Sequence, residues 1–214
     1  MAVIHRTTMT PTKPELLAAW LPAQPWYAAT GGAPEPVRAG GFRLDDPEGE
    51  VGIEFMVVTD ASAAEPVAYH VPLTYRGAPL EGAGAGLVGT AEHGVLGKRW
   101  VYDAAHDPVA VEQLLALLRG EAVPQAQSLT DTPDPSVTVQ GAAAVRPDGP
   151  VRPRAAHTPQ GSEVRVDGLP AALSLTRVLR PGLPQAGETA VLAGWTLPDG
   201  TEHRGVFAAL PASA

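Results

Sequence analysis

Two histidines and two aspartates, His93, Asp103, His106 and Asp107, fall within one short stretch and are the obvious candidates to hold a metal ion. Their spacing is not that of a zinc helix, where two histidines four residues apart share a face. Closed zinc sites also take four ligands, and Asp107 stands where it would cap a helix. Solvated turn residues are therefore expected, with no metal. Asp45, Asp46, Glu48 and Glu50 crowd a single turn. Paired carboxylates do acid–base work in a cleft that shifts their pKa values, whereas a hairpin tip is solvated, so a structural role is expected. Gly161-Ser162-Glu163 lacks the context and second glycine of G-x-S-x-G, and Gly97-Lys98 is followed by Arg99 rather than the hydroxyl of a P-loop. Trp20, Trp26, Trp100 and Trp195 could stack on a sugar or a base, but at this spacing the core is their expected place. The residues thus point to no catalytic group and no cofactor site.

The elements that must position these residues are organised around Gly89–Gly120. Lys98–Tyr102 reads as a strand, Asp107 as an N-cap, Pro108 as the first helical residue, and Gly120 as a stop. Val111, Leu114, Leu115 and Leu118 recur on one helical face and need a sheet to lie on. Ahead of this unit, Ala2–Thr8 suits an edge strand. Thr12 and Glu15 have capping-box spacing before Leu16 and Leu17, and Pro22 ends that short helix. Val37–Leu44 and Val51–Thr59 flank a turn built of Asp, Pro and Gly, and the alternation at Val51, Ile53, Phe55 and Val57 predicts a half-buried strand. Val67–Tyr75 continues the pattern, with Pro72 suggesting an edge or a bulge.

The fold class expected is α+β. Residues 1–120 would form a curved antiparallel sheet with two helices packed on one face. Residues 121–135 read as a linker, polar and punctuated by proline, and residues 136–214 as a mostly antiparallel β part. Within that part Arg146–Gln160 leans towards a mobile loop. Ala172–Leu179, Thr189–Thr196 and Glu202–Leu210 read as strands, the last two joined at Pro198-Asp199-Gly200.

Composition narrows the function classes. The 214 residues contain no cysteine, which excludes disulfides and thiolate metal sites and fits a reducing compartment. A formal net charge of −8 argues against nucleic-acid binding. No apolar run is long enough to span a membrane, and the N-terminus lacks the apolar core of a signal peptide, so a cytoplasmic protein is expected.

Several short patterns then occur in one order. Trp20-Leu21-Pro22-Ala23-Gln24-Pro25-Trp26-Tyr27 resembles the W-L-P-x-Q-R-W-F opening of actinobacterial maltokinases, with Pro25 where that family usually has arginine. Tyr69-His70-Val71-Pro72-Leu73 is similar to their Y-x-L-P-L strand, and Tyr102-Asp103-Ala104 with His106-Asp107-Pro108 to their closing D-A-x-x-D-P segment. Together these resemble the N-terminal cap domain of that family over about residues 1–120. Further on, Leu173–Gly182 resembles the kinase N-lobe strand that carries the nucleotide-binding lysine, whose place is taken here by Thr176. Arg177 is adjacent, but a one-residue step turns a strand side chain to the other face. The resemblance does not extend to an H-G-D-type catalytic loop, since the His-Gly pair His93-Gly94 is followed by Val95.

The resemblance implies a non-catalytic accessory or regulatory protein of α-glucan, trehalose or maltose-1-phosphate metabolism. It would bind a partner enzyme or a glucan through the cap. Trp20, Trp26, Tyr27, Tyr69, Tyr75, Arg76, His93, Tyr102 and Asp103 are the expected interaction surface. Two alternatives stay open: an enzyme of the same pathway, either an ATP-dependent sugar kinase completed by another chain or an α-glucan-modifying enzyme, and a structural oligomerisation module.

Overall fold

Glycine, proline and aspartate at the turns cut this chain into short strands, and in the computed structural model every pair of strands is antiparallel. The structure describes residues 7–62, 65–141 and 146–211. The edge strand expected over Ala2–Thr8 falls mostly outside these. Among the described residues the first strand is β1 (Met9–Thr10), followed by helix α1 (Lys13–Trp20). Thr12 closes a full capping box with Glu15, so Thr12→Ala is expected to cost about 1 kcal/mol in thermal or urea unfolding.

Strands β2 (Pro36–Leu44), β3 (Gly52–Asp60), β4 (Ala68–Arg76), β5 (Leu87–His93) and β6 (Gly97–Asp103) form the meander, and helix α2 (Pro108–Leu118) follows a short 3-10 turn at Ala104–His106. Asp107 caps α2 by accepting from the N–H of Val109. It also holds Arg76 through two bonds of 2.6 and 2.7 Å. Beyond α2 come β7 (Gln125–Ala126), β8 (Thr138–Gln140), β9 (Arg154–Thr158), β10 (Gly161–Arg165), β11 (Leu173–Leu175), β12 (Thr189–Thr196) and β13 (Glu202–Leu210). The Pro- and Arg-rich stretch that leans towards a mobile loop therefore contains a strand, β9, whose whole length pairs with β10.

The thirteen strands of the described residues belong to one sheet, whose main path runs β1-β5-β6-β4-β3-β2-β12-β13-β11-β10-β9. The sheet curls back on itself. The N-terminal half of β4 pairs with the segment just after β11, through His70 N–H to Arg177 O at 2.9 Å and Leu179 N–H to Ala68 O at 2.8 Å. These bonds close β4, β3, β2, β12, β13 and the β11 segment into a ring. Pro72 is tolerated in β4 because no strand needs its missing N–H. By the two-residue period its nitrogen faces the same edge as that of His70, in the gap before pairing with β6 begins at Leu73. At the β2–β12 seam a Cβ on Gly40 (φ +150°) would stand 3.2 Å from Gly194 O and Trp195 Cα, so only glycine lets the strands approach.

Two apolar clusters fill the two sides of this sheet. One joins Phe42, Phe55, Val57, Trp195 and Phe207 with Leu114, Leu115 and Leu118 of α2. The other joins Met56, Val58, Tyr69 and Val71 with Leu16 and Leu17 of α1. The two helices therefore do not share a face, contrary to the sequence expectation. For the same reason β3 is buried on both sides rather than half-buried. Residues from before and after 121–135 enter the first cluster together, and β7, within that stretch, pairs with β2. Among the described residues no helix is long and apolar enough to cross a membrane.

Candidate functional site

Beside the first turn of α1 lies an open cavity of about 670 Å³, reached by the β2–β3 turn and the β5–β6 hairpin. Its floor is the carboxylate of Glu54, which β3 points towards α1 and which is 4 % exposed. Glu54 accepts from Lys13 Nζ at 2.5 Å, Tyr75 OH at 2.7 Å and Gln127 Nε2 at 2.8 Å. Burial works against its charge, but the Lys13 ammonium and these three bonds hold its pKa below the usual carboxylate range. Burial and the Glu54 charge raise the Tyr75 phenol well above its ordinary value, which keeps it a donor. The Lys13 ammonium also sits 5.1 Å from the centroid of the Tyr75 ring.

Arg43, Asp46, Glu50, His93 and Arg99 complete the polar lining. Arg43 is fixed by the carbonyls of Ala126 and Leu129. Asp46 is not a solvated tip residue. It is buried and accepts from the N–H groups of Glu48, Glu50 and Val51, so it shapes the β2–β3 turn. Arg99 donates to Leu96 O, while its buried Nε–H has no hydrogen-bond partner among the described residues. His93 Nδ1 accepts from the N–H of Val95 and Leu96, which sets its ring at the mouth of the hairpin.

A second polar group lies near the closure of the ring, where β4 meets the segment after β11. Arg177, fully buried, donates through Nη2 to both oxygens of Asp103 at 2.8 and 2.6 Å, and through Nε to Ser162 Oγ at 2.7 Å. Ser162 Oγ is 2.7 Å from His157 Nδ1, and His157 Nε2 is 3.0 Å from His106 Nε2. Burial opposes the Asp103 charge, yet Arg177 holds its pKa below the normal value. Both half-buried histidines are pushed down, by burial first and then by the Arg177 charge, with Asp103 working the other way.

The residues expected at an interaction surface separate by place. Tyr75 and His93 line the cavity. Trp26, Tyr69, Tyr102 and Asp103 are buried and present nothing to a partner. Trp20, Trp26, Tyr69 and Tyr27 form a chain of ring contacts at 5.4–5.9 Å, which is core packing. Tyr27 donates to Asp60, and burial with that carboxylate raises its phenol to about 12. The Tyr102 hydroxyl accepts from Leu80 N–H, and Arg76 is held by Asp107. Of the suspected metal ligands, Asp103 and His106 meet His157, whereas His93 is at the cavity and Asp107 is a cap. Lys13, Glu54, Gln127, His157 and Ser162 were not identified from the sequence as parts of a site. Nothing in its order links residues so far apart, and a buried glutamate within an apolar strand was the one signal for Glu54.

Residues 20–107 match the maltokinase N-terminal cap domain. The match runs from the last residue of α1 to the cap of α2. No curated protein matches the chain.

Proposed function

We propose that this chain is a non-catalytic accessory protein of α-glucan, trehalose or maltose-1-phosphate metabolism that holds a short α-glucan in the cavity beside α1. The observation that carries the reading is the cavity's fixed polar array. Its volume is in the range of small-molecule sites. Lys13, Arg43 and Arg99 balance Asp46, Glu50 and Glu54, so the lining favours a neutral ligand over a polyanion. Hydroxyl groups both donate and accept, and a sugar can therefore meet carboxylate, amide and guanidinium side by side. The cap-domain match supports the metabolic setting. The Arg177 guanidinium, beside the position of the family's phosphate-binding lysine, is paired with Asp103 in the interior.

Isothermal titration with maltose through maltoheptaose tests this. Saturable binding is expected, weakened about tenfold in Arg99→Ala, which loses a charged donor worth about 1.5 kcal/mol. Absence of binding for the whole series overturns the reading. Micromolar binding of ATP–Mg would favour instead a sugar kinase completed by another chain.

A further inference from the structure

We propose that Asp103, His106 and His157 form a binding site for a divalent transition ion of the zinc type, independent of the glucan cavity. One donor atom from each lies within 4.8 Å of the others. The two imidazole Nε2 atoms face each other at 3.0 Å, and Asp103 Oδ2 is 3.9 Å from His157 Nε2. Atoms so separated share a centre within roughly 2.4 Å of each. Shifts of a few tenths of an ångström reach the Zn–N and Zn–O distances of about 2.0–2.2 Å.

The surroundings hold the three side chains for this task. A metal-bound histidine donates its other ring N–H to a fixed acceptor, which sets the tautomer. His157 Nδ1 has such an acceptor in Ser162 Oγ at 2.7 Å, itself pinned by Arg177 Nε. The His106 ring packs so closely on Gly86 that a Cβ there would stand 2.6 Å from it. Asp103 is anchored by Arg177 and by the N–H of Ala105 at 3.1 Å. Two imidazoles and one carboxylate suit zinc, cobalt or nickel better than calcium or magnesium, and leave a fourth position for water. The His157 side chain is 19 % exposed, so an ion can enter from solvent. The Arg177 charge opposes a cation and limits affinity rather than geometry.

The test uses the full chain freed of any purification tag. Titration with Zn²⁺, and with Co²⁺ followed by its visible absorption, is expected to give one equivalent bound. Separate His106→Ala and His157→Ala variants lose it, and Ser162→Ala weakens it about tenfold. Zn²⁺ also raises the melting temperature of the wild type but of neither histidine variant. No uptake by the wild type, or uptake that survives both histidine variants, overturns the proposal and leaves the contact a hydrogen bond between two imidazoles.

Discussion

Arg177→Leu is expected to lower the unfolding free energy by about 3–5 kcal/mol, the range for removing one partner of a buried ion pair. Arg177 and Asp103 are both 0 % exposed, so the carboxylate left behind has no water to replace the lost cation. Burial alone would raise the Asp103 pKa, and it takes the Arg177 charge together with the Arg177 and Ala105 hydrogen bonds to hold it below the normal value. Ser162 Oγ would lose its donor too. The guanidinium also lies 5.3 Å from the Trp26 ring centroid, so an aromatic residue suited by type to stacking a sugar instead faces an internal cation. Urea unfolding at neutral pH measures the effect. Adding Asp103→Asn to Arg177→Leu removes the orphan charge and is expected to restore part of the stability. Arg177→Lys should not rescue, since an ammonium lacks the planar fork that reaches Asp103 and Ser162 together. A loss below about 1 kcal/mol would show that the pair contributes little to holding the ring of strands closed.

Acidification should begin to destabilise the protein before its carboxylates titrate, because His70 is buried as a neutral imidazole. His70 sits inside the ring of strands, 4.6 Å from the Phe207 ring and 5.9 Å from Phe55. Its Nδ1 is 2.9 Å from Thr176 O and donates to it, and Nε2 has no partner among the described residues. Burial first, and the Arg177 charge second, push its pKa down from 6.5 to about 3. The sign follows from which state takes the proton. Below pH 6.5 the unfolded chain binds a proton that the native state refuses, so stability is complete above 6.5 and falls towards pH 3. At about 1.4 kcal/mol per pH unit the loss reaches on the order of 4–5 kcal/mol. His106 and His157, also lowered, add in the same direction. Urea unfolding across pH 7.5 to 4 should therefore show a slope that shrinks, without vanishing, in His70→Leu. Equal slopes in wild type and variant would mean that His70 titrates normally in the fold.

Much of the local structure was legible in the sequence. Thr12 and Glu15 state a helix start, Asp107-Pro108 another, and Pro198-Asp199-Gly200 a hairpin, because caps and turns are decided by residues a few positions apart. The opening Trp20-Leu21-Pro22 pattern and the Asp103-Ala104 segment likewise marked the cap domain, whose match runs from Trp20 to Asp107. The half-buried reading of β3 failed for a physical reason. Alternation reports one apolar face, but Met56 and Val58 meet a second cluster that only tertiary packing supplies.

The candidate sites were set almost wholly by that packing. Glu54, Tyr75, Lys13 and Gln127 converge because α1 and the stretch around β7 are folded onto the same end of β3. Asp103 and His106 acquire His157, Ser162 and Arg177 because the sheet curls until β4 meets the segment after β11. Pairing across that distance depends on the twist and closure of the whole sheet, which no short stretch of sequence encodes. The sequence determined by itself most of the elements, their capping and the cap-domain pattern within residues 20–107. The tertiary structure decided which aromatics became core, which cation was buried, and which polar side chains came to line the cavity.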